Sequence, residues 1–336
     1  MQFNLKHLLY LIPTLLLASC EKKAAEEAVQ VSNSEVPNTF KTINALIEQQ
    51  PDNPDLYYVR GEYFYEMNGF DEAIADYNKA IQLDSAQSRY WHSLSNVYLD
   101  YYREKSALQT MEMASFLFPD SIITQLKLAE TYLILKNHEK ALNVVSKVKN
   151  YNPNNDEVHY LAGLIFADNG ELDMAISNMQ TCVELNSRHI EAWYELGNLW
   201  NIKGSGNDPI LYYDNALRVD SMYTDALFSK AQTLYKQGKF GPCIDTYNSM
   251  GRMFPSDESS FFNAGIVMVE LNDYKNAWDK FNICVELNPA LVQAYYYRGL
   301  CDLELGNTAA GKADLEQALR FDPDYEKAKL LLSNIQ

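Results

Sequence analysis

The chain has 336 residues, of which 45 are aspartate or glutamate and 28 are lysine or arginine, for a net charge of −17. A body this acidic is repelled by phosphate backbones and by anionic lipid, which excludes nucleic-acid binding as its expected activity. No stretch approaches the roughly 18 to 20 consecutive apolar residues that a spanning helix needs, so no transmembrane helix is expected.

The first predicted element is N-terminal. Lys6 and His7 precede an apolar run, Leu8 to Leu17, interrupted by Pro13. At about ten residues the run is too short to cross ~30 Å of hydrocarbon, and it has the build of a signal-peptide core. It closes on Leu17-Ala18-Ser19-Cys20, which resembles the lipobox of bacterial lipoproteins. The resemblance implies that residues 1–19 are a signal peptide to be removed and that Cys20 becomes an acylated N-terminus. Apart from this covalent lipid, no cofactor and no metal is expected. One acyl chain, at ~0.8 kcal/mol per buried methylene, holds a protein marginally, whereas two or three hold it stably. Residues 20–36 offer little to bury and read as a flexible tether, with a reach of roughly 23 Å. Removal of residues 1–19 takes away one lysine and no acid, leaving 27 basic against 45 acidic side chains.

Residues 37–53 are expected to hold an N-terminal capping helix or partial repeat, because Phe40, Ile43, Leu46 and Ile47 share a helical face and Pro51 closes it. From residue 54 a single period of 34 governs the chain. Small residues recur at Gly61, Ser95, Ala129, Gly163, Gly197, Ala231, Gly265 and Gly299 without insertion. Two further registers are mostly small, at Ala73, Ala107, Ala141, Ala175, Pro209, Cys243, Ala277 and Gly311, and at Ala80, Ala114, Val148, Cys182, Ala216, Met250, Cys284 and Ala318. Turn residues recur at Ser85, Pro119, Pro153, Ser187, Ser221, Pro255, Pro289 and Pro323. Rings stand four positions before the first small register, as at Tyr57, Trp91 and Trp193, and three after it, as at Phe64, Tyr98 and Trp200. Residues three, four and seven apart share a helical face, so each unit reads as two antiparallel helices in close approach, stopped by proline or serine. The units are 54–87, 88–121, 122–155, 156–189, 190–223, 224–257, 258–291 and 292–325.

With "WYELGNLW" (Trp193 to Trp200) and "YYVRGEYFYEMNGFDEAIADYNKAIQLD" (Tyr57 to Asp84), this pattern resembles the tetratricopeptide repeat. The resemblance implies an all-α, right-handed α-solenoid of eight helix hairpins. Residues 326–336 are expected to form a C-terminal capping helix that offers Ala328, Leu331, Leu332 and Ile335 to the last repeat. Two units depart from the pattern. In the fifth, "GSGNDP" (Gly204 to Pro209) leads to a second helix that starts late, with Asp208 as cap and Pro209 in the first turn; this is either a hinge or simply a longer turn. In the eighth, Asp302 stands where other units have a bulky apolar residue, so looser packing is expected there.

Chemistry is sought and not found. "GSG" at Gly204 to Gly206 has no lysine at P-loop spacing and no strand before it. His92, His138, His159 and His189 are scattered, and no Cys-x-x-Cys occurs, so neither a metal site nor catalysis is expected. Cys182, Cys243, Cys284 and Cys301 read as alanine substitutes in a tight core, with a Cys284–Cys301 bridge left open. The family's first helices line a concave groove that binds peptides or partner helices. Carried onto this chain, the groove positions include Tyr58, His92, Leu126, Tyr160, Tyr194, Phe228, Phe262 and Tyr296, with Asn96, Asn198, Glu62, Glu130 and Glu191 as polar contacts. Acids there, among them Asp55, Asp100, Asp168, Asp225 and Glu270, outnumber Arg89 and Lys236. That balance argues against gripping an acidic tail and favours a basic or aromatic-rich ligand. The resemblance thus implies a non-catalytic, lipid-anchored adaptor in the bacterial envelope, most naturally on the periplasmic face of the outer membrane, binding other envelope proteins. A glycan-binding receptor and a self-associating scaffold are the alternatives.

Overall fold

The computed structural model describes residues 40–335; the signal peptide, Cys20 and the tether fall outside the described residues. Those described form eighteen α-helices and no strand. They divide into two compact units, residues 40–185 and 186–335. The first contains α1 (Phe40–Gln49), α2 (Pro54–Glu66), α3 (Phe70–Leu83), α4 (Ser88–Asp100), α5 (Glu104–Leu117), α6 (Ile122–Ile134), α7 (His138–Tyr151), α8 (Asp156–Asp168) and α9 (Leu172–Leu185). The second contains α10 (Ile190–Lys203), α11 (Pro209–Val219), α12 (Thr224–Lys236), α13 (Phe240–Met253), α14 (Glu258–Glu270), α15 (Tyr274–Leu287), α16 (Val292–Glu304), α17 (Thr308–Phe321) and α18 (Glu326–Ser333). Within each unit every helix packs on the next in the chain, and even-numbered helices from α2 onward are the first members of the hairpins.

Eight of the described helices begin where the sequence supplies an oxygen or ring-nitrogen acceptor for orphan N–H groups. Asn53, Ser121, Asn137, Asn155, Asp208, Asp257 and Asp273 each accept from a first-turn amide. First helices end by a recurrent device. Asn68, Tyr102, Lys136, Gly170, Gly204, Gly238, Asn272 and Gly306, each 34 residues after the last, all have positive φ. In seven of these turns the next residue donates its N–H back to the helix, as Gly69 does to the Phe64 carbonyl at 2.8 Å and Glu171 to that of Phe166 at 2.8 Å. The exception follows α10, where Gly204 N–H bonds Trp200 and the chain runs on through a longer turn.

Inside each hairpin the small register is covered by a large side chain sixteen residues later. A Cβ added to Gly61 would lie 2.7 Å from the Tyr77 ring, and one on Gly197 2.4 Å from that of Tyr213. Tyr77, Met111, Met179, Tyr213, Phe281 and Leu315 are accordingly among the largest fully buried side chains. Close helix approach and ring burial are therefore one packing event. In the last helix Ala328 is fully buried against Leu315 and Ala318, with Leu331, Leu332 and Ile335 packed around them.

Arg60 and Arg298, seven periods apart, repeat one arrangement. Arg60 forks onto Asp76 with two 2.7 Å bonds and reaches Asn44 on α1 at 2.8 Å; Arg298 does the same to Asp314 and to Asn282 on α15. The bidentate geometry fixes three helices with one side chain and ties the first capping helix to its repeat.

Three expectations need revision or completion. Asp302 does not loosen the last repeat: it is 6% exposed, accepts from Trp278 Nε1 at 2.9 Å and Asn307 Nδ2 at 3.1 Å, and so joins α15 to α16. The long turn of the fifth repeat is packed. Gly206 lies directly under the Trp200 indole, Trp200 stacks on Tyr212, and Asn207 donates to the Tyr212 hydroxyl at 2.7 Å. Asp208 caps α11 through Ile210 N–H and also accepts from Gln237, so the late start is an extended turn with its own contacts. Cys284 and Cys301 are unbridged and buried, and burial pushes both thiols up to about 12.

Candidate protein-binding face

All the predicted contact positions lie on first helices, and the two units present them separately. In the first unit Tyr58 on α2 is half-buried between Tyr77 (ring centroids 5.9 Å) and Tyr90 (5.2 Å). Tyr160 on α8 and Asn96 on α4 are likewise half-buried. In the second unit Tyr194 packs on Tyr213 at 6.1 Å, Phe228 on Tyr247 at 6.1 Å and Phe262 on Phe281 at 5.6 Å. Tyr296 lies edge-on to Tyr297 and Tyr325. Tyr58, Tyr194, Phe228 and Phe262 thus each pack on the side chain that fills their hairpin. What stays accessible of these half-buried rings is what a partner can meet.

Two polar positions have internal duties. Glu62 accepts from Tyr77 Oη at 2.6 Å, and Asn198 from Tyr213 Oη at 3.0 Å, so each holds the buried ring of its hairpin. His92 is a correction to the sequence expectation. At 2% exposure, with Nε2 3.0 Å from Thr124 Oγ1, it is enclosed between α4 and α6 and offers no surface to a partner. Leu126, its counterpart on α6, is also buried.

The acids of this face prove to be unequal. In the first unit Asp55 accepts from Arg89 and Tyr90, and Asp100 from Tyr65. Asp168 takes Lys136 at 2.7 Å and His138 at 2.6 Å; burial would raise this carboxyl, but those two hydrogen bonds outweigh it and hold it below the usual carboxylate range. Glu130 is pushed up by burial, against Lys127, with Glu157 adding to the rise. In the second unit Glu270 receives the Tyr235 hydroxyl at 2.6 Å. The charge balance read from sequence therefore overstates the free carboxylates, because several bridge one repeat to the next.

A different arrangement holds at α10 and α12. Glu195, which the sequence reading did not single out, is pushed up to about 7 by burial, eased by a 3.3 Å bond from Asn198 Nδ2 and reinforced by Asp225. Asp225 is itself raised by burial. Tyr194 and Tyr223 meet edge to face at 5.6 Å beside these groups, and the Tyr223 phenol is raised first by burial and then by Asp225, Glu191, Tyr194 and Glu195. Glu191 is 8% exposed. Glu191, Glu195 and Asp225 thus all act on the Tyr223 phenol, which lies against the Tyr194 ring. No register marks Glu195: its equivalents are Val59, Ser93, Lys127, Leu161, Ser229, Asn263 and Tyr297.

Comparison with known proteins now adds to the geometry. Two family profiles, both described as Tetratricopeptide repeat, match residues 41–88 in one case and 156–189 and 292–325 in the other. Those segments match tetratricopeptide repeats. A DnaJ homolog subfamily C member 7 homolog from Schizosaccharomyces pombe is 22% identical over 88% of this chain and 62% of its own length. The BBSome complex member BBS4 of Bos taurus is 18% identical over 74% of this chain and 48% of its own. This chain therefore spans about half to three fifths of the length of these two relatives. Among solved structures, a tetratricopeptide repeat protein from Parabacteroides merdae ATCC 43184 aligns over 73% of this chain and 97% of its own, at 16% identity and a TM-score of 0.46. YrrB, described as having an unusual peptide-binding site, aligns over 56% and 97%, at 23% identity and a TM-score of 0.40. Tetratricopeptide repeats as a class mediate protein–protein interaction, and the first-helix face just described is where these repeats put rings and charge.

Proposed function

We propose that the protein is a non-catalytic adaptor that binds partner proteins on its first-helix face while covalent lipid on Cys20 holds it at a membrane of the bacterial envelope. The observation that carries the binding half is the set of half-buried rings, Tyr58, Tyr160, Tyr194, Phe228, Phe262 and Tyr296, on the first helices of six of the eight hairpins. Such rings supply contact area at low cost in side-chain entropy, because their rotamers are held before a partner arrives. The excess of acids over cations on the same helices favours a basic or aromatic-rich partner segment. No described helix is long and apolar enough to cross a membrane, so in this reading the anchor is the lipid. The tether, residues 20–36, gives the repeats reach from the bilayer, and residence at the same membrane raises the effective concentration of a partner. The periplasmic face of the outer membrane is the proposed site of action.

Crosslinking in intact cells followed by mass spectrometry tests the binding half; repeated recovery of no chain but its own overturns it. Mass analysis of the N-terminus from the native host tests the anchor: a diacylated or triacylated Cys20 is expected, and an intact Met1 without fatty acid refutes it.

A further inference from the structure

The outward side of α5 departs from the period. Phe116 is 79% exposed, yet every other unit places a polar or charged residue at that register, from Gln82 through Arg320. Met113, 49% exposed, stands where six of the seven other units are polar, and Leu117 beside it is exposed as well. The three lie three and four positions apart, on one helical face. The second helix of the next hairpin, α7, carries Lys140, Lys147 and Lys149 against Glu139, the largest positive balance of any described helix in a chain of net charge −17. The two helices adjoin here. Lys140 Nζ lies 3.9 Å from Glu112, which also accepts the Tyr132 hydroxyl at 2.7 Å, and Met111 and Ala114 share a core with Val145 and Val148. Exposed Tyr151 ends α7, and exposed Lys147 stands one turn before it. Large apolar side chains exposed together beside cations mark a contact surface.

We propose that this face of α5 and α7 rests on a phospholipid bilayer with anionic headgroups, Phe116, Met113 and Leu117 entering the headgroup boundary and Lys147 and Lys149 meeting its charge. This extends the lipid-anchor reading, on which it rests, by naming the protein surface that touches the membrane. Apolar residues flanked by lysine suit an interface: rings and aliphatic chains sit at the acyl boundary, while lysine stems lie along it and keep their ammonium groups among the phosphates. The acidic remainder of the chain is repelled by the same surface, so approach through this face is favoured over others and the contact orients the first unit. Little intrinsic affinity is needed, because an acylated Cys20 holds the face near the bilayer. The twenty residues from Cys20 to Thr39 span up to ~65 Å. Contact through second helices leaves the first-helix face of that unit open to a partner.

The test uses the full chain as the native host delivers it, on phosphatidylcholine vesicles with and without phosphatidylglycerol, and reads the quenching of tryptophan by brominated acyl chains. Phe116→Trp puts an indole on the face, and Arg320→Trp puts one at the equivalent exposed register of the last unit; the four native tryptophans give a common background. The added emission of Phe116→Trp is expected to fall at least twofold on bromination in phosphatidylglycerol vesicles, and that of Arg320→Trp to change little. Lys147→Gln/Lys149→Gln in the Phe116→Trp chain should halve the quenching, as should omission of phosphatidylglycerol. Equal quenching at the two positions, or none at position 116 while the acylated chain sediments with vesicles, overturns the face and leaves the anchor standing. Quenching at position 116 in a chain that carries no fatty acid supports the face and refutes the anchor. A blue shift at position 116 that grows with protein concentration without vesicles assigns the surface to a second copy, and a photo-crosslink from that position to another protein in cells, in place of lipid, assigns it to a protein partner; either overturns the proposal. Circular dichroism guards against a folding artefact, both tryptophan positions being exposed.

Discussion

Glu195 permits a quantitative prediction, because its environment opposes its charge. Burial is the main cause, Asp225 adds to it, and the Asn198 amide eases it only in part, so the carboxyl titrates at about 7 in place of 4.5. The folded state holds this proton more tightly than the unfolded one. Below about pH 4.5 both states are protonated and the residue costs nothing. As pH rises from there to about 7 the unfolded state loses its proton first and stability falls; above 7 the penalty is constant. A rise of this size corresponds to about 3 kcal/mol at full burial, and residual solvent contact brings the expectation to about 2 kcal/mol. Glu195→Gln keeps the shape and an acceptor for Asn198 but removes the ionisation. It should stabilise the α10 and α12 region by about 2 kcal/mol at pH 8.5 and by about 1 kcal/mol or less at pH 5.5. Repeat arrays open in parts, so the suitable measurement is amide hydrogen exchange of peptides from α10 and α12, read as local opening free energy at both pH values. Equal gains at the two pH values, or destabilisation at both, would refute the argument that an uncompensated buried charge sits there.

Three other substitutions test the packing. Gly197→Ala places a methyl inside the Tyr213 ring and should cost about 2–3 kcal/mol; the double change Gly197→Ala/Tyr213→Val, which copies the natural Ala129 and Val145 pairing, should recover part of it, as read from urea midpoints. Gly170→Ala meets no atom within 4 Å but forces alanine to φ +81°, so it should lose about 1 kcal/mol through the backbone alone, with Tyr102→Gly gaining a comparable amount at the equivalent turn. Thermal melts showing no loss for Gly170→Ala would refute the strain argument. Arg298→Ala strands Asp314 without its guanidinium and should cost about 2 kcal/mol, with Arg298→Ala/Asp314→Ala less harmful than the single change. A double mutant as unstable as the two singles summed would show that the pair is not coupled.

How far the molecule is legible in sequence follows from how each feature is encoded. The hairpins and their close approach are written as a period, because every unit solves the same packing problem: Gly61 with Tyr77 and Gly197 with Tyr213 are two copies of one answer. The turn register was equally available, since six of its eight residues are glycine or asparagine, but Tyr102 and Lys136 interrupt it and the identity of those two gives no hint of positive φ. Polar positions fare worse. A carboxylate on a helix face looks the same in sequence whether it is free, as the groove positions assumed, or paired one repeat away, as Asp55 is to Arg89 and Asp168 to Lys136. His92 illustrates the same limit: only the arrival of Thr124 from the following hairpin encloses it.

The distinction between repeated and singular features also bears on function. What recurs in every unit holds the array together, so a site that selects one partner has to depart from the period. The half-buried rings of Tyr58, Phe228 and Phe262 satisfy the general need for contact area but, being repeated, carry little discrimination. Glu195 is the opposite case. It replaces the varied residues at its register, Asp225 adds to the rise that burial imposes on it, and Tyr223 lies in the same neighbourhood from the preceding turn. A buried carboxyl tolerated at a cost in stability, which Glu195→Gln would recover, is the kind of departure from the period that a selective site would need.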